Sequence, residues 1–181
     1  MKRVFVLLLL AASAWTALLT AQAPASAPKP AAPKPAAAAP KPAAAAAGGR
    51  LVEITAGSDS AGKFMYTPAS ISAKPGELLH LRLKAVAPMA MPKMAMSHNF
   101  VLLKPTTKIG DFQTDATNAG FPANFIPASH KADILASMPL VAIGETGDVT
   151  FKAPAVAGSY PFICTFPAHA AGGMKGTLIV K

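Results

Sequence analysis

An all-β domain, a sandwich or small barrel of seven to eight short strands with a short helical flap, is the fold class this sequence predicts over residues 51–181. Three observations predict it. Leu79, Leu81 and Leu83 alternate with His80, Arg82 and Lys84, the period-2 pattern of a strand with one buried face. Short runs of β-forming residues recur along the domain, and stretches rich in Pro, Gly, Asn and Asp separate them. Lys74-Pro75-Gly76 and Gly144-Glu145-Thr146-Gly147 carry turn chemistry at the borders of such runs.

The elements follow in order. Lys2 and Arg3 precede an apolar run from Val4 to about Leu19, and small residues close it. This is the pattern of a secretory signal, residues 1–21, with cleavage near Ala21; retention as an uncleaved anchor is the alternative. The body of the protein is therefore expected outside the cytoplasm, in a periplasm or at the outer face of the cytoplasmic membrane. Residues 22–50 are an Ala/Pro/Lys-rich tether in which PKP recurs at Pro28, Pro33 and Pro40. Proline fixes φ and removes amide donors, and alanine and lysine offer little to pack, so the segment reads as a disordered, extended spacer that could tether the domain to a membrane. In the domain, Leu51–Ile54 is a short strand and Phe64–Ala73 carries scattered β-formers. Leu79–Leu83 is the alternating strand, and His98–Leu103 (HNFVLL) is apolar enough to be buried on both faces. Residues 105–135 break the pattern and read as a flap outside the sheets, with a short helix. Pro139–Ile143, Asp148–Lys152, Ser159–Thr165 and Lys175–Lys181 complete the strands.

Charge excludes one class of function. The net charge of +9 overstates the domain, because five of the 17 basic residues precede Arg50. From Arg50 onward 12 basic residues face 8 acidic ones, a net of +4, and the basic residues are scattered. Nucleic-acid binding has no support in that distribution. No GxGxxG, P-loop, GxSxG or zinc-finger spacing occurs either.

The chemistry concentrates in CTFPAHAAGGMKG, which begins at Cys164, the chain's one cysteine. A lone thiol is inert core, a nucleophile, an intermolecular bridge or a metal ligand. Cys164 closes one expected strand and Lys175 opens the next, so His169 and Met174 share the loop between them. His98 begins another strand. Two His, one Cys and one Met form the ligand set of a blue-copper electron-transfer site. Thiolate and thioether suit Cu(I), imidazole suits both oxidation states, and a mixed set holds both with little rearrangement.

With those residues in view, HNFVL at 98–102, GETGDVTF and GSYPFICTFPAHAAGGMKGTLIV resemble the cupredoxins, specifically the azurin-like group and within it the auracyanins. The resemblance implies a Greek-key β-sandwich binding one copper ion through His98, Cys164 and His169, with Met174 as the weak axial ligand. It also implies a distant backbone carbonyl at Ser97, an Asn99 side chain tying the ligand loops together, and a Phe166 N–H aimed at the sulfur. Four residues separate His169 from Met174, as in auracyanins, where azurins have three. The azurin disulfide cannot form with one cysteine, and Ala168 stands where the family has glycine. The implied function is a one-electron carrier rather than an enzyme. Its redox partners, a cytochrome or a membrane oxidoreductase, would dock where His169 emerges through Phe166, Pro167, Ala168, Met91 and Met94. An enzyme would need an open coordination position. The run from Met89 to Met96 supports an alternative role in copper delivery or storage through a second, soft Cu(I) site. His80 and His130 read as solvated residues outside the site.

Overall fold

The computed structural model describes residues 49–87 and 96–181. The expected signal, the tether up to residue 48, and Met89, Met91 and Met94 lie outside the described residues. Among the described residues nine strands form two sheets: β1 Arg50–Ser58, β2 Phe64–Thr67, β3 Ser70–Ala73, β4 Leu78–Ala85, β5 His98–Leu103, β6 Ile134–Val141, β7 Thr146–Lys152, β8 Gly158–Ile163 and β9 Lys175–Val180. One sheet has the order β2-β1-β4-β7 and the other β3-β9-β8-β5-β6. β1 runs parallel to β4 and β3 parallel to β9, whereas the remaining pairs are antiparallel.

The count exceeds the expected seven to eight because Phe64–Ala73 is two strands, one in each sheet. The chain leaves β2 at Thr67 and enters β3 at Ser70, with Pro68 between them, a residue that lacks the N–H a continuous ladder would require. Arg50, counted with the tether by its sequence, is the first residue of β1 and donates from Nε to Glu77 Oε1 at 2.6 Å.

Two hydrophobic clusters explain the pattern of the strands. Between the sheets, Leu79, Leu81 and Leu83 of β4 pack with Phe100 and Leu102 of β5, Phe162 of β8 and Leu178 of β9. On the outer face of the five-stranded sheet, Val101, Leu103 and Ile163 pack with Phe112, Ala116 and Phe125 of the flap. β5 is buried at every position because alternate residues serve the two clusters, which is why HNFVLL is apolar throughout. The flap contains α1, Ile109–Ala119, which buries Phe112 and Ala116 one turn apart, and two 3₁₀ turns, Phe121–Ala123 and Ala128–His130. Its end comes earlier than expected, since β6 starts at Ile134 and pairs with Leu103. Gly176 is required where β9 crosses Phe162: a Cβ there would collide with the ring. Among the described residues no helix is long and apolar enough to cross a membrane.

Candidate metal centre

β5 and β8 are hydrogen-bonded neighbours, with Val101 opposite Ile163. His98 is the first residue of β5 and Cys164 the first residue after β8, so the sheet register carries both to the same edge of the sandwich. Residues 165–174 loop over that edge and return as β9. The loop holds itself in place. His169 N donates to Phe166 O at 3.1 Å, Gly172 N to Ala168 O at 2.8 Å, Met174 N to His169 O at 2.9 Å and Cys164 N to Met174 O at 3.2 Å.

One ligand atom from each of His98, Cys164 and His169 falls within 4.8 Å of the others. The two Nδ1 atoms are 3.2 Å apart, and Cys164 Sγ lies 3.5 Å from His169 Nδ1. An ion bonded to nitrogen at about 2.0 Å and to sulfur at about 2.3 Å would sit among them with angles of roughly 100–110°. Met174 is fully buried in the same cluster as Cys164. The donor set and its spacing fit copper. The site is also dry: His98 and Cys164 are 0% exposed and His169 is 2% exposed.

Burial sets the protonation states. It pushes the Cys164 thiol up to about 11, against the opposing pull of hydrogen bonds from the Asn99 and Phe166 backbone N–H groups and the Tyr66 hydroxyl. Burial lowers His98 to about 3, with His169 adding to the effect, and lowers His169 to about 4. Both imidazoles are therefore neutral near pH 7, with lone pairs free for a metal, and the thiol must lose its proton to bind one.

Asn99 joins three segments. Its Oδ1 accepts from Thr165 N at 2.8 Å, while Nδ2 donates to Thr165 Oγ1 at 2.6 Å and to Asn124 O at 2.9 Å. It ties β5 to the loop, as expected, and to the flap, which the sequence did not indicate. Asn124 and Phe125 adopt φ of 55° and 54° there, and Phe125 packs edge-on against Phe166 at 5.3 Å. Ser97 is buried beside His98, and neither Ser97 Oγ nor His98 Nε2 has a hydrogen-bond partner among the described residues.

Three expectations need correction. His169 does not emerge at the surface. Phe64 of β2 stacks on its ring at 4.2 Å and Phe166 lies against it at 4.7 Å. Gly172 permits this cover, because a Cβ there would stand 2.6 Å from Phe64 Cδ2. Phe166 and Pro167 are half-buried and Ala168 is exposed, at a φ of 68° that suits the family's glycine better than alanine. His80 is half-buried, its Nε2 2.8 Å from Asp148 Oδ1, because β7 pairs beside β4. His130 is held by Asp133 at Nδ1 (2.9 Å) and Asp115 at Nε2 (2.8 Å), so it locks α1 to the following turn. Phe64 and Tyr66 are the residues near the site that the sequence did not disclose. Both lie about a hundred residues from the ligand loop, with no local motif to mark them.

The family described as copper binding proteins, plastocyanin/azurin family, matches residues 52–181. Auracyanin-B of Chloroflexus aurantiacus is 38% identical over 87 residues, covering 48% of this chain and 37% of that protein. Auracyanin-A of the same organism is 41% identical over 85 residues, covering 46% of this chain and 51% of that protein. The match thus spans about half or less of these two relatives. Among solved structures, dithionite-reduced auracyanin from Roseiflexus castenholzii superposes with a TM-score of 0.60 at 31% identity, over 74% of this chain and 99% of that one.

Proposed function

The chain belongs to the plastocyanin/azurin family of copper-binding proteins, and we propose that it is a type 1 copper carrier that passes single electrons between redox proteins outside the cytoplasm. Copper, when bound, supplies the Cu(II)/Cu(I) couple. His98, Cys164 and His169 would hold it, with the Met174 thioether as a fourth, weaker donor. The observation that carries the reading is the convergence of the His98, Cys164 and His169 ligand atoms within 4.8 Å, all three residues being buried. Catalytic metal sites keep an open position for water or substrate, and the burial of all these residues favours a carrier over an enzyme.

The remaining residues keep the geometry fixed while the charge changes. The loop hydrogen bonds and the Asn99 ties resist movement of the ligands, which keeps the reorganisation between oxidation states small. Phe64 and Phe166 exclude water from the His169 ring. The half-buried and exposed residues of the loop, Phe166, Pro167 and Ala168, form the docking surface; Met91 and Met94, which the sequence reading also assigned to it, lie outside the described residues. Encounters of redox proteins bury little area and are brief, which suits so small a patch. The signal and tether support export with the domain held near a membrane, and a cytochrome or membrane oxidoreductase as partner.

A Cu(II) titration of the full chain followed by visible absorption tests this. Wild-type protein is expected to develop an intense blue band that saturates at one equivalent and bleaches on reduction. Cys164→Ser is expected to stay colourless, because a hydroxyl is too weak an acid to replace the thiolate. A blue serine variant would end the assignment.

A further inference from the structure

The pole of the sandwich opposite the ligand loop gathers charge that is scattered along the sequence. Register fixes which residues stand there. Arg50 opens β1 opposite Leu79, and Lys152 ends β7 opposite Leu78. Lys74 and Lys181 follow Ala73 and Val180, which pair with each other, and Lys104 follows Leu103, the last residue of β5. All five are exposed. Two carboxylates share this far pole, and both are engaged. Glu77 accepts from Arg50 Nε at 2.6 Å and from Lys74 N at 2.8 Å, and Asp133 holds His130 at 2.9 Å. Five cations against these two leave a net of +3, or +2 with the carboxylate of Lys181 counted. Lys74, Lys104, Lys152 and Lys181 make no salt bridge among the described residues. The ligand pole, by contrast, sets Lys63, Lys84 and Lys175 against Asp59 and Glu145 among the described residues, a net of +1. The tether joins the domain at Arg50, so it meets the domain at the basic pole, and it carries Lys29, Lys34 and Lys41.

We propose that the far pole is a docking surface for a lipid bilayer with anionic headgroups, and that the domain rests on it with the ligand loop directed away from the membrane. The inference rests on the export reading above, which puts a bilayer within reach of the tether. Each lysine or arginine close to an anionic bilayer gains about fivefold in affinity. The attraction fades within a Debye length, about 10 Å in 0.1 M salt. β4 and β9, at roughly 3.3 Å per residue, set the two poles about 20 Å apart, so a bilayer touching one pole scarcely acts on the other. The charges therefore orient the domain as well as hold it. A redox partner then reaches Phe166, Pro167 and Ala168 from the aqueous side without competing with lipid.

The test is a lysine-acetylation footprint of the full chain, read by mass spectrometry, on phosphatidylcholine vesicles with and without added phosphatidylglycerol. On the anionic vesicles Lys74, Lys104, Lys152 and Lys181 should be acetylated about fivefold more slowly than on the neutral ones. Lys63, Lys84 and Lys175 should react at an unchanged rate, and high salt should remove the difference at the far pole. Equal protection at both poles, or none at the far pole, would overturn the proposal. So would protection confined to Lys29, Lys34 and Lys41, which would mean that the tether alone meets the lipid. Soluble polyglutamate stands for the competing occupant. If it protects the far pole and anionic vesicles do not, the surface belongs to an acidic protein and the proposal fails. Cell fractionation tests the premise separately. Protein retained in the cytoplasm would end the export reading and the proposal with it, whereas exported protein with an unprotected far pole ends the proposal alone.

Discussion

Asn99→Ala is the perturbation from which the structure predicts most. Asn99 is fully buried and its side chain makes three hydrogen bonds, two to Thr165 and one to Asn124. Each is worth about 1 kcal/mol net, and truncation also leaves the Thr165 N–H, the Thr165 hydroxyl and the Asn124 carbonyl without this partner in a dry region. The expected loss is about 3 kcal/mol or more of apo-protein stability, which for a domain of this size corresponds to about 10 °C in Tm. The ligand edge loosens at the same time, so copper affinity should fall about 10- to 100-fold. Denaturant unfolding of the metal-free protein reads the first quantity and competition with a chelator reads the second. Combining Asn99→Ala with Thr165→Val should be markedly less than additive, because both remove the 2.6 Å contact. A stability loss below about 1 kcal/mol with an unchanged m-value would refute the reasoning. It would mean that the loop's own backbone bonds hold the ligands without Asn99.

Three further predictions concern the charged and ligating groups. The Cys164 thiol lies at about 11, His98 at about 3 and His169 at about 4. Near neutral pH, copper uptake should therefore release one proton, from the thiol, and affinity should rise about tenfold per pH unit. Calorimetry in buffers of different ionisation enthalpy counts that proton, and a count of two would mean that an imidazole is also charged. Met174→Leu should still bind one copper but at a higher potential, since a weak donor to the oxidised ion is lost; an unchanged potential would show that Met174 is not axial. Hydrogen bonds to Asp133 and then Asp115 hold the His130 pKa above its ordinary 6.5. The group binds its proton more tightly when folded, so its contribution is complete below pH 6.5 and is lost as pH rises through the raised folded value. The Tm difference between wild type and His130→Gln should shrink on going from slightly acid to alkaline pH, and a difference independent of pH would refute the clamp.

Much of the fold could be read from local patterns. Leu79, Leu81 and Leu83 alternate because one face of β4 meets the core, and HNFVLL is continuous because both faces of β5 do. The two strands within Phe64–Ala73 could not be separated in the same way, because only their partners, β1 in one sheet and β9 in the other, distinguish them. The cover over His169 was read wrongly for a related reason. Phe64 is an ordinary apolar residue in its own strand, and it becomes a lid only when β2 lies against the ligand loop.

By itself the sequence determined the donor types, the four candidate ligands with the spacing of three of them in one loop, and the strands that open and close that loop, because chemistry and short-range chain geometry are local properties. The sequence also named His98, 66 residues upstream of Cys164, as a candidate, and the tertiary structure decided how it reaches the loop, through the antiparallel register of β5 and β8. It also decided that Asn99, Tyr66, Phe64 and the flap enclose the set in a dry pocket. Burial, and with it the neutral imidazoles and the protonated thiol of the apo site, arises from contacts between distant segments that no single stretch of sequence contains.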